Sequence, residues 1–418
     1  MATTLAEVLR RFGPELLGRL QAQGRSLRPE QTKAWRAIVQ CRPAALGGQL
    51  MRCEACGTEQ WRWRSCRNRH CPQCQSRQRE QWRQARGAEL LNVPYCHLVF
   101  TLPHELNALA AAQPRWVYAT LLECAAATLT QFAADPKWLG GIGAFTLALH
   151  TWTQDLRMHL HVHALMACGA LARDEQGRAI WQPPRRSPSF LFPVQALSKV
   201  FRGKFLAALA AAQTGDKLKF DPQHRPCERA QRTQTLRSKD WVVYAKTPLA
   251  GPAAVLDYLS RYTHRTAIGN ERLLGIEGDA VRFRMRVNAK RSKAEDSRAQ
   301  SSRVTTLPGV EFIERLLRHI VPSGFKRIRH CGLLAPAAKA QRMASARALL
   351  AMPPANPAAA EAVRDFMQRV ARMDIERCPH CDDARWRVVG CQGPLRLGQP
   401  GQGSPHAAAP DQACRGPP

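Results

Sequence analysis

The chain has 418 residues and 45% hydrophobic content, enough for one domain of ordinary size with a real core and smaller modules attached. Its charge is unusual: 62 Lys and Arg against 32 Asp and Glu leave a formal net charge of +30, which self-repels unless an anionic partner, most often nucleic acid, is bound. No run of about 18 apolar residues and no apolar signal core at the N-terminus is present, which weighs against a membrane and points to a cytoplasmic, nucleoid-associated protein.

Two amphipathic helices are expected first, over "LAEVLRRFGPELLGRL" and "PEQTKAWRAIVQ". A cysteine-rich segment follows, with C-x2-C at Cys53 and Cys56 and C-x3-H-C-x2-C from Cys66 to Cys74. Disulfides are disfavoured in a reducing compartment, whereas paired thiolates select zinc in tetrahedral sites. The simplest site is Cys53, Cys56, Cys71 and Cys74. Cys41, Cys66 and His70 either complete a second site or surround the first.

Between residues 61 and 90 there are eight arginines and two glutamates, with Trp61, Trp63 and Trp82 interleaved. The arginines, Arg67 and Arg69 among them, suit phosphates. The tryptophans either stack on bases or form the module's small core. The run "RQREQWRQARGAELL" reads as a polar helix.

A strand is expected over "YCHLVFTLP", then one or two buried helices over 105–135. The segments "AFTLALHT" and "RMHLHVHALMA", joined by the polar link "WTQDL", have a hairpin signature. On a strand, alternate side chains share a face, so His159, His161 and His163 line one side and Leu160, Val162 and Ala164 the other. Burying three imidazoles without a shared partner is costly, which favours metal binding. An open site of this kind suits Mg2+ or Mn2+ with a substrate phosphate. His159, His104 and Gln154 are the candidates for a third ligand.

Further on, "VQALSKVFRGKFLAALAAA" reads as a helix, "DWVVYAK" as a strand, and "GPAAVLDYLSRYTHRT" as a helix opened by Gly-Pro. In that helix Tyr258 and Tyr262 stand at i and i+4, on one face, among Arg261, His264 and Arg265. Such tyrosines are either a core stripe or nucleophiles whose phenolate nearby cations stabilise; the cationic neighbours argue against deep burial. No phosphate-binding G-x-x-x-x-G-K-[ST] loop occurs, as expected of a phosphodiester exchange that needs no ATP. The run "VRFRMRVNAKRSKAEDSR" is a strand with a cationic face that passes into a basic loop, and 310–320 is helical. "CPHC" at 378–381 is weaker evidence of a metal site, since one C-x2-C needs two more ligands and Cys391 alone is not enough, and the Gly/Pro-rich tail from 392 is expected to be disordered.

The strings "CRPAALGGQL", "SCRNRHCPQCQ", "FTLPHELN", "LHTWTQDLRMHLHVHAL", "LFPVQALSKVFRGKFL", "WVVYAKTPLAGP", "YLSRYTHRTAIGN" and "GFKRIRHCGLLAPAAKA" occur in an order that resembles the rolling-circle transposases of the insertion-sequence-91 family, within the HUH endonucleases. The likeness spans about Cys41 to Ala338. It departs from the family pattern at Leu160, where proline is usual. The resemblance implies an α+β fold with a central antiparallel sheet flanked by helices, preceded by a small zinc-binding module. It divides the chain into 1–92, a zinc-binding DNA-binding domain; 93–338, the endonuclease; and 339–418, a helical segment and tail. It also implies metal-dependent nicking and joining of single-stranded DNA at the element's ends and in the target. In that chemistry His161 and His163 are metal ligands and Tyr258 and Tyr262 nucleophiles, with Lys246, Arg261 and Arg265 on phosphates. A host helicase is a candidate partner. A plasmid replication initiator or relaxase of the same class, and a non-catalytic zinc regulator, are the alternatives.

Overall fold

The computed structural model describes residues 3–395 apart from 88, 188–189, 216–217, 219–225, 250–254, 256–265, 287–301, 356–360 and 384. The expected Tyr258 and Tyr262 helix, Arg261 and Arg265, most of the basic loop after 286, and the tail beyond 395 lie outside the described residues.

Two compact units are present. One comprises Trp82–Arg265 and Arg315–Ala358; the other Met1–Gln81, Thr266–Glu314 and Ala359–Pro418. Neither is continuous in sequence, unlike the division at 92/93 and 338/339 expected above. Part of the difference comes from strand pairing between distant segments, residues 386–392 with 48–53 and 328–332 with 144–148, which a segment-by-segment pattern does not register.

The first of these units is built on an antiparallel sheet. Numbering strands in chain order through the whole protein, its members are β3 (Tyr95–Thr101), β4 (Ile142–Trp152), β5 (Met158–Arg173), β6 (Ala179–Gln182), β7 (Val243–Leu249) and β11 (Ile328–Gly332). The order is β11-β4-β5-β3-β7, with β6 paired to the far end of β5. The expected hairpin is β4–β5, with Thr153–Arg157 closing it by a hydrogen bond between the Thr153 N–H and the Arg157 carbonyl.

Alternation decides the two faces of this sheet. Leu98 and Phe100 of β3, Leu147 and Leu149 of β4, and Leu160, Val162 and Ala164 of β5 are all buried on one side. They pack against helices at Pro114–Ala134, which begins with proline in its first turn, and at Val194–Thr214. Tyr118, Leu121, Phe201 and Phe205 supply the helical half of that core. Each such side chain stabilises the fold by roughly 1.5–3 kcal/mol on burial. The other side of the sheet carries histidines and threonines.

In the second unit, helix α1 (Leu5–Ala22) starts with a capping box between Thr4 and Glu7 and buries Leu5, Leu9, Phe12 and Leu16. Strands β8 (Leu273–Glu277), β9 (Ala280–Arg286) and β10 (Ser302–Pro308) form one small sheet, with β9 central. The basic alternation in "VRFRMR" does form a strand, whose Val281 and Phe283 are buried. A further sheet of β1 (Gly48–Cys53), β2 (Glu59–Trp63) and β12 (Trp386–Gln392) runs in the order β12-β1-β2. Strand β12 brings the C-terminal segment to the cysteine-rich one.

Candidate metal centre

Strand β5 presents His161 and His163 on the sheet's polar face, as the alternation predicts. The residue that joins them is His150 of β4, paired directly with His161 in the antiparallel register. One ring nitrogen from each of the three lies within 4.8 Å of the others, the geometry of a single-ion site. His159, His104 and Gln154 are not in this group. The structure replaces them with His150.

The reason lies in the sheet. Strand β3 ends at Thr101, opposite His161, and the β4–β5 register slips between His150 and Trp152. His159 thus lies past the end of the β3–β5 register, its ring 4.8 Å from that of His161 and 5.7 Å from that of His104. Burial, with the nearby His104, lowers the pKa of His159.

Outer partners orient the rings of this group. His161 donates through Nδ1 to the His159 carbonyl at 2.9 Å, which leaves Nε2 to face an ion. His163 Nδ1 is hydrogen-bonded to Nε2 of His97 at 2.9 Å, so its Nε2 is likewise the nitrogen that could meet an ion. Burial pushes His161 down to about 4. Burial, then the Lys246 charge, pushes His97 down to about 3. Both are neutral at pH 7, the form in which imidazole binds metal.

Elsewhere this face carries both polar and apolar side chains. Thr146 Oγ1 lies 2.9 Å from His330 Nδ1, and Lys246 of β7 is exposed and stands opposite His97 in the β3–β7 register. Val255 is the one described residue between 250 and 265. It is fully buried with Leu165 and Ala167, which share the histidine face of β5, and with Tyr95, Leu333 and Met343. Trp82 packs against that same cluster, so this tryptophan serves a core.

The cysteines sort differently from the expectation. Cys41, Cys66, Cys71 and Cys74 come together, with Sγ–Sγ distances of 3.6 Å for Cys41–Cys74 and for Cys66–Cys74. Four thiolates at about 2.3 Å from one zinc stand about 3.8 Å apart, so this set fits the ion. Hydrogen bonding by Cys66, then Cys71, pulls the Cys41 thiol down to about 7, while Cys71 is pushed up by its bond to Cys41. The expected set of Cys53, Cys56, Cys71 and Cys74 does not assemble. Cys53 and Cys56 meet Cys378 and Cys381 instead, because β12 pairs with β1.

His70 stays outside both groups, its backbone N–H donating to the Asn68 side chain at 2.9 Å. Arg67 is exposed, and Arg69 is half-buried with its pKa lowered by that burial. Trp61 and Trp63 stack at 4.6 Å on β2 and remain half-exposed. Missed by sequence reasoning were His150 and His97 as site residues, and Cys53 and Cys56 as the partners of Cys378 and Cys381. The hairpin link alone does not reveal His150: a turn closed by Thr153 and Arg157 pairs 152 with 158 and would set 150 opposite 160, and only the register slip between His150 and Trp152 brings it opposite His161.

Residues 8–102 match the model of the transposase zinc-binding domain, and residues 143–342 match a family model described as "Putative transposase". A protein of Sinorhizobium fredii described as "Putative transposase y4qJ" is 38% identical over 94% of this chain and 97% of its own length. The transposase for insertion sequence element IS801 of Pseudomonas savastanoi pv. phaseolicola is 27% identical over 85% of this chain and 82% of its own. A solved structure of TrwC complexed with a 27-mer DNA aligns with 13% identity over 40% of this chain and 75% of that one, at a TM-score of 0.20, too loose to bear on the fold. With two domain models in order and a relative matched nearly end to end, the chain belongs to the insertion-sequence-91 family of two-tyrosine transposases and carries that family's N-terminal zinc-binding domain.

Proposed function

We propose that this transposase nicks and rejoins single-stranded DNA at the ends of its element through a 5′-phosphotyrosine, at the face carrying His150, His161 and His163. The observation that carries the reading is this trio of ring nitrogens, converging from adjacent strands with outer partners that leave Nε2 of His161 and of His163 toward the site. A divalent ion held there would polarise the scissile phosphate and offset its developing charge. Imidazole ligands suit Mn2+ better than Mg2+, which prefers oxygen.

Tyr258 or Tyr262 attacks the phosphorus, forming a phosphotyrosine bond as the bond to the 3′ oxygen breaks. The phenol gives up its proton and the departing oxygen gains one, so one phosphodiester is exchanged for another without ATP. Support for the reach comes from Val255, buried on the histidine side of the sheet three residues before Tyr258. Three residues span at most about 10 Å. The second tyrosine then serves the target strand. Lys246, Arg261 and Arg265 contact phosphates, while the zinc module, through Arg67 and Arg69, grips the element's end. A host helicase supplies the single strand. Among the described residues no helix is long and apolar enough to cross a membrane.

The test is incubation with labelled single-stranded terminal DNA and Mn2+. Wild-type protein should give a covalent protein–DNA adduct. Unchanged adduct formation by the Tyr258→Phe/Tyr262→Phe double variant would refute the tyrosine chemistry.

A further inference from the structure

The structure assigns Cys53, Cys56, Cys378 and Cys381 to a second zinc site, one that clasps the C-terminal segment onto the N-terminal zinc module. Both family matches end before residue 378. The four Sγ atoms lie within 4.8 Å of one another, with Cys53–Cys381 at 3.5 Å and Cys56–Cys378 at 3.7 Å. These separations are far beyond a disulfide's roughly 2.05 Å, and close to the edge of a zinc–thiolate tetrahedron, about 3.8 Å.

The backbone repeats one turn at both halves. Cys53 N–H donates to the Thr58 carbonyl at 2.9 Å, and Gly57 N–H donates back to the Cys53 carbonyl at 3.0 Å. Cys378 N–H donates to the Asp383 carbonyl at 2.8 Å, and Asp382 N–H donates back to the Cys378 carbonyl at 2.9 Å. The residue after each second cysteine's turn is left-handed, Gly57 at φ 71° and Asp382 at φ 60°. Two copies of one thiolate-presenting turn, from sequence positions more than three hundred residues apart, thus face each other.

Neither turn is a site alone, since two thiolates do not close a tetrahedral zinc. Strand pairing brings them together: Cys53 is opposite Trp386 in the β1–β12 register, and Glu54 N–H donates to the Arg385 carbonyl at 3.0 Å. Soft all-sulfur donors select zinc over the oxygen-seeking ions suited to a nicking site. The consequence is that a chain ending before residue 378 lacks both a zinc ion and the third strand of the module's sheet.

The test uses the full chain reconstituted with Co2+, whose thiolate charge-transfer absorption does not report the all-histidine site. Alkylation by iodoacetamide is mapped residue by residue in the zinc-loaded protein. Wild type should protect all eight site cysteines, including the exposed Cys56 and Cys381, until a chelator strips the metal. The Cys378→Ser/Cys381→Ser variant should lose half of the charge-transfer intensity while Cys41, Cys66, Cys71 and Cys74 stay protected. Rapid labelling of Cys378 and Cys381 in zinc-loaded wild type, or full intensity in the variant, would overturn the assignment.

Discussion

His319 is the group through which acid should loosen the histidine hairpin. Its ring is 3% exposed, and Nε2–H donates to the Leu156 carbonyl at 2.9 Å while Nδ1 accepts from the Thr151 hydroxyl at 3.1 Å. Both partners belong to the turn end of β4–β5, and Thr151 follows His150 of the proposed metal site. Burial pushes His319 down to about 4 from an ordinary 6.5. The folded protein thus binds fewer protons here than the unfolded chain, and the contribution is complete above pH 6.5 and lost as pH falls toward 4.

At pH 5.5 the unfolded imidazole is mostly charged while the folded one is not, a cost on the order of 1–2 kcal/mol. In a unit of this size that lowers Tm by roughly 3–6 °C. The perturbation is His319→Gln, whose amide can donate to Leu156 and accept from Thr151 without titrating. Calorimetry at pH 7.5 and 5.5 should show the variant losing about 3–6 °C less than wild type between the two. Buried His97 and His161 and half-buried His330 are shifted in the same direction and add to the acid loss of both proteins, so the difference isolates His319. Equal losses in variant and wild type would refute the reasoning.

Replacing His150 by Ala should weaken Mn2+ binding, measured by titration calorimetry, by about a hundredfold or more, the upper end of what even an outer partner's loss costs. His159→Gln should change it less than about threefold, and the reverse ranking would restore His159 as the ligand. His97→Phe should cut metal affinity and adduct formation by about 10–100-fold while metal-free DNA binding, followed by anisotropy, stays unchanged. Gly332 sits at φ 65°, and a Cβ there would stand 1.7 Å from the Gly143 carbonyl oxygen. Gly332→Ala should therefore lose about 2–3 kcal/mol in urea denaturation, against about 1 kcal/mol for Gly177→Ala, where the left-handed backbone faces open space. DNA affinity should fall at least about tenfold between roughly 50 and 200 mM salt, since phosphate contacts release counterions. A flat salt response would remove the role given to the net charge.

What the sequence displays of this site is what is local along the chain. Period-two alternation placed His161 and His163 on one face because both belong to a single strand, and the apolar period of Val194–Thr214 showed its helix for the same reason. His150 is in plain view in a strand, yet its membership depends on which residue it opposes across the hairpin, a register set by the turn together with an irregularity between His150 and Trp152 that no local pattern displays. The cysteines sharpen the point. A C-x2-C turn is legible wherever it occurs, because its two thiolates and its back-bonded fifth residue are neighbours in sequence. How turns combine is not legible, since Cys53 and Cys56 lie nearer in sequence to Cys71 and Cys74 than to Cys378 and Cys381. Sequence proximity suggested the wrong quartet. The β1–β12 ladder, whose short strands Gly48–Cys53 and Trp386–Gln392 show no strong alternation, chose the other. A lone C-x2-C with no fourth ligand nearby is therefore better treated as half of a site awaiting a distant partner, and the strands flanking it are where that partner should be sought.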